Sequence, residues 1–234
     1  MFQYCLFDLD GTLTDPGEGI TRCVQYALRS LGIEEPDLKK LEPFIGPPLT
    51  DSFMEFYGLT REQAVRAVEA YRERFAPVGI FENCVYDGIP RLLEEMKSAG
   101  VTLAVASSKP ECFVHRILDR FGIEKYFDVI VGSELDGARS AKEEVVEEAL
   151  LRLGVGEISG EERKRRCAMV GDRKFDIQGA RAHGLTGVGV RFGYAPQGEL
   201  EAEGADYIAD TVADLAAFLL DTEEKEPDGP GDGL

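Results

Sequence analysis

The chain has 234 residues, 44% of them hydrophobic and 30% charged, with a formal net charge of −18. That is enough apolar material for one large domain or two small ones, and the acidic balance argues against a nucleic-acid surface, because phosphate backbones attract basic patches. Five scattered cysteines without a Cys-x-x-Cys pair, no basic-then-apolar leader and no apolar stretch of about 18 residues or more predict a reducing, cytoplasmic setting and no membrane span.

In chain order, residues 2–8 read as a short buried strand that stops at Asp8, and Gly11 permits a sharp exit. From about 16 to 82 the apolar spacing becomes helical, over 18–31, 47–57 and 60–76, punctuated by Gly32, Pro36, Pro43, Gly46, Pro47 and Pro48. From residue 89 short apolar strands alternate with amphipathic helices. The helices are expected at 89–99, 111–121, 140–153, 173–183 and 211–220; the strands at 102–106, 127–131, 167–170, 187–190 and 206–209. Glu161–Arg166 reads as a solvated connector. This rhythm predicts an α/β fold, a Rossmann-like parallel sheet with helices on both faces, with ligands beyond the carboxyl ends of the strands. The helices that follow strand one before the alternation resumes predict an inserted all-helical domain. After residue 221 the tail is acidic and Pro/Gly-rich, which predicts disorder for 222–234.

The strand ends carry the chemistry. Asp8 and Asp10 are two residues apart, so both side chains share one face of an extended segment. Ser107 ends the strand at 102–106, Asp172 ends the one at 167–170 with Asp176 four residues on, and Lys142 starts a helix. In a parallel sheet these groups gather at one edge. Such a set suits phosphoryl transfer. Aspartates hold Mg²⁺, a hard cation that takes oxygen ligands. One carboxylate can attack phosphorus, and a second, kept protonated by crowding, can serve the leaving oxygen. A hydroxyl and an ammonium can bind the remaining phosphate oxygens. Lys109, close to Ser107, competes with Lys142 for that place. His115 and His183 are single histidines on helical stretches and are expected to be non-catalytic, and Arg191 and Tyr194 are read as loop residues.

The segments DLDGTLTD (8–15) and GDRKFD (171–176), with Ser107 and Lys142 between them, resemble the four motifs of the haloacid dehalogenase-like superfamily, in order across residues 2–220. The resemblance implies a nucleophile at Asp8 and a general acid/base at Asp10, which also offers its backbone carbonyl to Mg²⁺. It implies phosphate binding by Ser107 and Lys142, with a polar contact from Ser108, and a metal set of Asp8, Asp10, Asp172 and Asp176. Residues 16–83 match a C1-type helical cap, in which Ile45, Gly46 and Pro47 contact substrate; residues 1–15 and 84–221 match the hydrolase core. A second aspartate at position 10 favours an alkyl-phosphate leaving group. The run Phe44–Leu49 looks like phosphoglycolate-phosphatase-type members, whereas the stretch from Gly132 to Lys142, followed by Glu143 rather than proline, looks like a 5′-nucleotidase-like branch. The expected function is a Mg²⁺-dependent phosphatase of a small phosphorylated metabolite, nucleoside monophosphate-like or phosphoglycolate-like, working as a monomer or homodimer. A β-phosphoglucomutase-like phosphomutase and a non-catalytic phosphate-sensing module are the alternatives.

Overall fold

In the computed structural model, which describes residues 1–156 and 158–221, the first apolar run forms β1 (Tyr4–Phe7). A turn leads to β2 (Thr14–Asp15), then α1 (Gly17–Ser30), a 3-10 turn over Leu38–Phe44, α2 (Leu49–Tyr57) and α3 (Arg61–Phe75). A further 3-10 turn, Gly79–Phe81, precedes β3 (Cys84–Val85), which pairs antiparallel with β2. The helical insertion thus leaves and re-enters through one two-stranded ribbon.

The alternating part follows as α4 (Ile89–Ser98), β4 (Thr102–Pro110), α5 (Glu111–Arg120), β5 (Val129–Ser133), α6 (Lys142–Arg152) and α7 (Gly160–Arg166). It closes with β6 (Cys167–Gly171), α8 (Lys174–Ala182), β7 (Thr186–Val190), α9 (Glu199–Glu203), β8 (Tyr207–Ala209) and α10 (Val212–Leu220). Six strands form one parallel sheet in the order β5-β4-β1-β6-β7-β8. The period-2 alternation of strand side chains explains why the strands read as unbroken apolar runs. Cys5, Phe7, Leu103 and Val105 enter a core shared with α4, α5 and the inserted helices. Leu6, Ala104, Ala106 and Met169 enter a second core with Val145 and Val146 of α6 and Ala180 of α8.

Three elements differ from the sequence expectation. β4 does not stop at Ser107: its register slips between Ala106 and Pro110, and Pro110 regains pairing with Ser133 of β5. Such a slip turns side chains away from the ladder, and here it falls on Ser107–Lys109. Residues 160–166 form a helix instead of a connector, capped by the Ser159 hydroxyl accepting from the Glu162 amide at 3.4 Å. No residue of that helix is buried, so no apolar period announces it. The short α9 likewise carries too few residues for a periodic signal. The tail expected to be disordered, 222–234, lies outside the described residues.

In the insertion, α1 and α2 pack on α3. α3 starts at a reciprocal cap, the Gln63 amide donating to the Thr60 hydroxyl and the Thr60 amide to the Gln63 side chain. Phe44 lies with its ring 4.9 Å from Phe53 and 5.3 Å from Phe56, centroid to centroid. This aromatic cluster fixes the chain where it enters the segment 45–48.

Candidate active site

Asp8 follows β1 directly, and its amide still donates to the Val170 carbonyl of β6 at 2.9 Å. The chain then folds back: the Leu9 carbonyl accepts from the Leu13 and Thr14 amides at 2.9 and 3.0 Å. This turn needs φ of +83° at Gly11, and a Cβ there would run into the Asp172 carboxylate. The glycine therefore allows the turn and admits the second acid.

Asp172 leaves β6 fully buried, with Oδ2 accepting from the Tyr194 amide at 2.7 Å and Oδ1 from the Thr12 hydroxyl at 3.5 Å. Asp176 sits in the first turn of α8, Oδ2 accepting from the Arg173 amide at 3.0 Å. Lys142 opens α6, and its Nζ lies 2.8 Å from Asp8 Oδ1 and 2.8 Å from Asp176 Oδ1. The same ammonium donates to the Ala106 carbonyl at 3.0 Å. Asp8, Asp172 and Asp176 each offer an oxygen within 4.8 Å of the others.

Two of these three buried carboxylates share one ammonium and Asp172 has none, and their electrostatics show the imbalance. Burial, reinforced by Asp176 and Asp8, pushes the Asp172 carboxyl well above its ordinary value. Burial pushes Asp176 up to about 6, against the pull of Lys142. Burial opposes the charge of Lys142, yet Asp176 and Asp8 together hold it above its usual value. Three converging oxygen donors with an unmet demand for positive charge fit a hard divalent cation such as Mg²⁺.

Asp10 occupies different surroundings. Its Oδ2 is 2.6 Å from Nζ of Lys109, which also lies 4.6 Å from the centroid of the Phe75 ring on α3. Its Oδ1 is buried without a hydrogen-bond partner. Burial raises the Asp10 carboxyl and outweighs Lys109. The Ser107 hydroxyl accepts from the Lys109 amide at 3.4 Å, and Ser133 Oγ donates to the Ser108 carbonyl at 2.9 Å.

A cavity of about 290 Å³ opens in front of these groups. Asp8, Asp10, Ser107, Ser108 and Lys109 line its sheet side, and Phe44, Gly46, Pro47, Tyr71 and Phe75 face them from the insertion. The structure brings Asp8, Asp172 and Asp176 together and sets Asp10 beside Asp8 on the cavity wall, while two other expected residues lie off that wall. Ile45 does not line the cavity with Gly46 and Pro47; its side chain is fully buried among apolar neighbours, and its carbonyl accepts from Arg173 Nη1 at 2.7 Å. Lys142, favoured over Lys109 for the phosphate, lies behind Asp8, whereas Lys109 is the lysine on the cavity wall. His115 pairs with Glu124 and His183 with the Glu143 carbonyl, away from the cavity lining.

Arg173 and Tyr194 were not read as site residues, although Arg173 stands inside GDRKFD. Their amides hold Asp176 and Asp172, a role a sequence does not display. The aromatic wall of Tyr71, Phe75 and Phe113 was also missed, because aromatic residues at helical spacing read as ordinary core; Phe75 stacks on Tyr71 at 5.3 Å and meets Phe113 edge-on at 5.3 Å.

The family model of haloacid dehalogenase-like hydrolases matches residues 5–190. A 5′-nucleotidase of Pseudomonas aeruginosa is 49% identical over 209 residues, which span 89% of this chain and 91% of that protein. The tyrosine-protein kinase PtkA of Mycobacterium tuberculosis is 39% identical over 222 residues, 95% of this chain and 72% of that protein. A crystal structure titled a predicted phosphatase from Clostridium acetobutylicum superposes with a TM-score of 0.88 at 44% identity, covering 94% of this chain and 99% of that one.

Proposed function

Because the chain belongs to the family of haloacid dehalogenase-like hydrolases, we propose that it is a phosphatase of small phosphomonoesters that works through an aspartyl-phosphate on Asp8. The observation that carries this reading is the contrast between two carboxylates two residues apart on one cavity wall. Asp8 shares Lys142 with Asp176, whereas Asp10 has Lys109 to itself and is still pushed upward by burial. Neighbouring acids in contrasting environments divide into a nucleophile and a proton carrier.

Asp8, Asp172 and the backbone carbonyl of Asp10, with Asp176 beside them, would hold Mg²⁺. When bound, the ion supplies positive charge that offsets the repulsion between a substrate phosphate and the acids. The chain's own groups do the rest. The Ser107 hydroxyl and the Lys109 ammonium receive phosphate oxygens at the cavity wall. An Asp8 oxygen attacks phosphorus as the ester bond breaks, and Asp10 gives its proton to the departing alkoxide. Asp10, now a carboxylate, takes a proton from water, which attacks phosphorus and releases phosphate from Asp8. Lys142 holds Asp8 in place throughout.

For substrate, the similarity to a protein named 5′-nucleotidase supports a nucleoside 5′-monophosphate, and Tyr71, Phe75 and Phe113 border the cavity in which its base would lie. The insertion 16–83 serves as the cap that carries Tyr71 and Phe75. The test is steady-state hydrolysis of nucleoside monophosphates, phosphoglycolate and para-nitrophenyl phosphate. Nucleotides are expected to give the highest kcat/KM, EDTA to stop turnover, and Asp8→Asn to abolish it with an unchanged circular dichroism spectrum. Turnover by Asp8→Asn, or isomerised sugar phosphates in place of free phosphate, would overturn the proposal.

A further inference from the structure

Two residues have their backbones in the acid cluster and their side chains on the insertion. The Arg173 amide holds Asp176, while its Nη1 donates to the Ile45 carbonyl at 2.7 Å. The Arg173 side chain is anchored from behind by Glu199, Nε to Oε1 at 2.9 Å, and Glu199 in turn accepts from the Lys174 amide at 2.9 Å. Arg173 is 7% exposed. Its partner Ile45 immediately precedes Gly46 and Pro47 on the cavity wall. Gly46 has φ of +103°, and a Cβ there would sit 3.0 Å from Arg173 Cγ, so the two chains are in close contact.

Tyr194 repeats the arrangement at the start of the insertion. Its amide holds Asp172, and its hydroxyl donates to Asp15 Oδ1. Asp15 belongs to the ribbon through which the chain enters the insertion, and the same Oδ1 accepts from the Gly17 amide at 3.0 Å, at the start of α1. A Cβ at Gly17 would collide with the Tyr194 hydroxyl. One strap therefore reaches the cavity-wall segment of the insertion and one its entry, both starting from an amide that binds an acid of the cluster.

We infer that Arg173 and Tyr194 are positioning residues that tie the posture of the insertion to the acid cluster, so that the cavity wall at 45–48 and the entry at 14–17 are held in register with Asp8. The inference rests on reading residues 16–83 as a cap over the site. It requires neither side chain to touch substrate. Arg173 fixes a main-chain carbonyl through a charge-assisted hydrogen bond, and Tyr194 fixes a carboxylate. Losing either frees a wall of the cavity while leaving the acids in place, because it is the backbone amides that bind them.

The experiment compares Arg173→Gln, Arg173→Lys and Tyr194→Phe with the parent protein by hydrogen-exchange mass spectrometry, thermal melting and nucleotide hydrolysis. In Arg173→Gln, amides over 41–52 are expected to exchange on the order of tenfold faster, and in Tyr194→Phe those over 14–19 by a similar factor. Strands β1, β4 and β6 are expected to keep their exchange rates; the melting midpoint stays close to the parent in Tyr194→Phe and falls in Arg173→Gln, which leaves the largely buried Glu199 without its ion-pair partner. KM for the nucleotide should rise on the order of tenfold, with kcat changed less than about threefold, since binding to a looser wall is lost and the reacting groups are not. Arg173→Lys is expected to recover part of both effects, because an ammonium still reaches one acceptor. Unchanged exchange at 41–52 and 14–19 would overturn the inference. So would acceleration spread evenly over the sheet, or a kcat loss as large as the KM rise. If the parent hydrolyses no phosphomonoester, the functional reading fails alone; the exchange pattern still decides whether the straps exist.

Discussion

Asp10 and Lys109 form the closest cation–carboxylate contact on the cavity wall, at 2.6 Å, and the ammonium is backed by the Phe75 ring. A proton carrier in that position has to be reprotonated each cycle, and Lys109 balances it by opposing the upward push of burial. Asp10→Asn keeps the shape and removes the proton. On an alkyl phosphate the loss is expected to be on the order of 10²–10⁴-fold. On para-nitrophenyl phosphate the leaving group departs without much protonation, so the first half-reaction is largely spared, whereas water still has no base to activate it. Rapid mixing should then show a burst of one nitrophenolate per chain followed by a slow phase. Equal losses on both substrates with no burst would remove Asp10 from the leaving-group step.

At the level of elements, the site depends on turns that bring strand ends within reach of each other. Gly11→Ala places a side chain in the left-handed region and against the Asp172 carboxylate. It is expected to cost at least about 1–2 kcal/mol for the backbone alone, and to weaken the divalent-cation response of the melt, because the β1–β2 turn has to move away from β6. Chemical denaturation with and without Mg²⁺ measures both, and a melt that keeps its full Mg²⁺ shift would rule out the close approach. The same turns explain what the sequence made legible. Strand ends carrying Asp8, Asp10 and Asp172 stand out because a charge stops an apolar run, and a parallel sheet covered on both faces follows from the alternating pattern. That Lys109 lines the cavity was not legible, because it goes with the register slip in β4 between Ala106 and Pro110. Arg173 was hidden for a similar reason. Its partners are a main-chain carbonyl 128 residues away and a glutamate 26 residues away, and neither leaves a pattern in the chain. Helix α7 was invisible because it is polar on every side.

For the molecule as a whole, the acid cluster sets a stability limb that opposes ordinary acid denaturation. Glu82 is held below its usual range by its hydrogen bonds from Arg74; burial would raise Asp128, but Lys97 and the Leu103 amide lower it. Such lowered carboxylates stabilise the fold above their ordinary values and lose that contribution as pH falls through the lowered ones. Asp10, Asp172 and Asp176 behave in the opposite sense: burial raises all three, Asp176 to about 6. Their contribution is full below the ordinary carboxylate value and is lost as pH rises through the raised one, because ionising them inside the fold costs free energy. The metal-free protein is therefore expected to lose stability as pH rises from about 4 to above 6. Mg²⁺ held by the ionised cluster, as proposed, and not by the unfolded chain should flatten that limb and raise stability at neutral pH, by about 2.7 kcal/mol at a hundredfold excess over its dissociation constant. Asp172→Asn provides the control. It removes one of the mutually repelling charges, so its metal-free melt at neutral pH should lie above that of the parent, while its Mg²⁺ response shrinks. Thermal melts across this pH range with EDTA or Mg²⁺ give the answer directly. Metal-free stability that climbs steadily from pH 4 to 7, or an Asp172→Asn variant that melts lower than the parent without metal, would mean that the three carboxylates are not the repelling cluster that the fold gathers around Asp8.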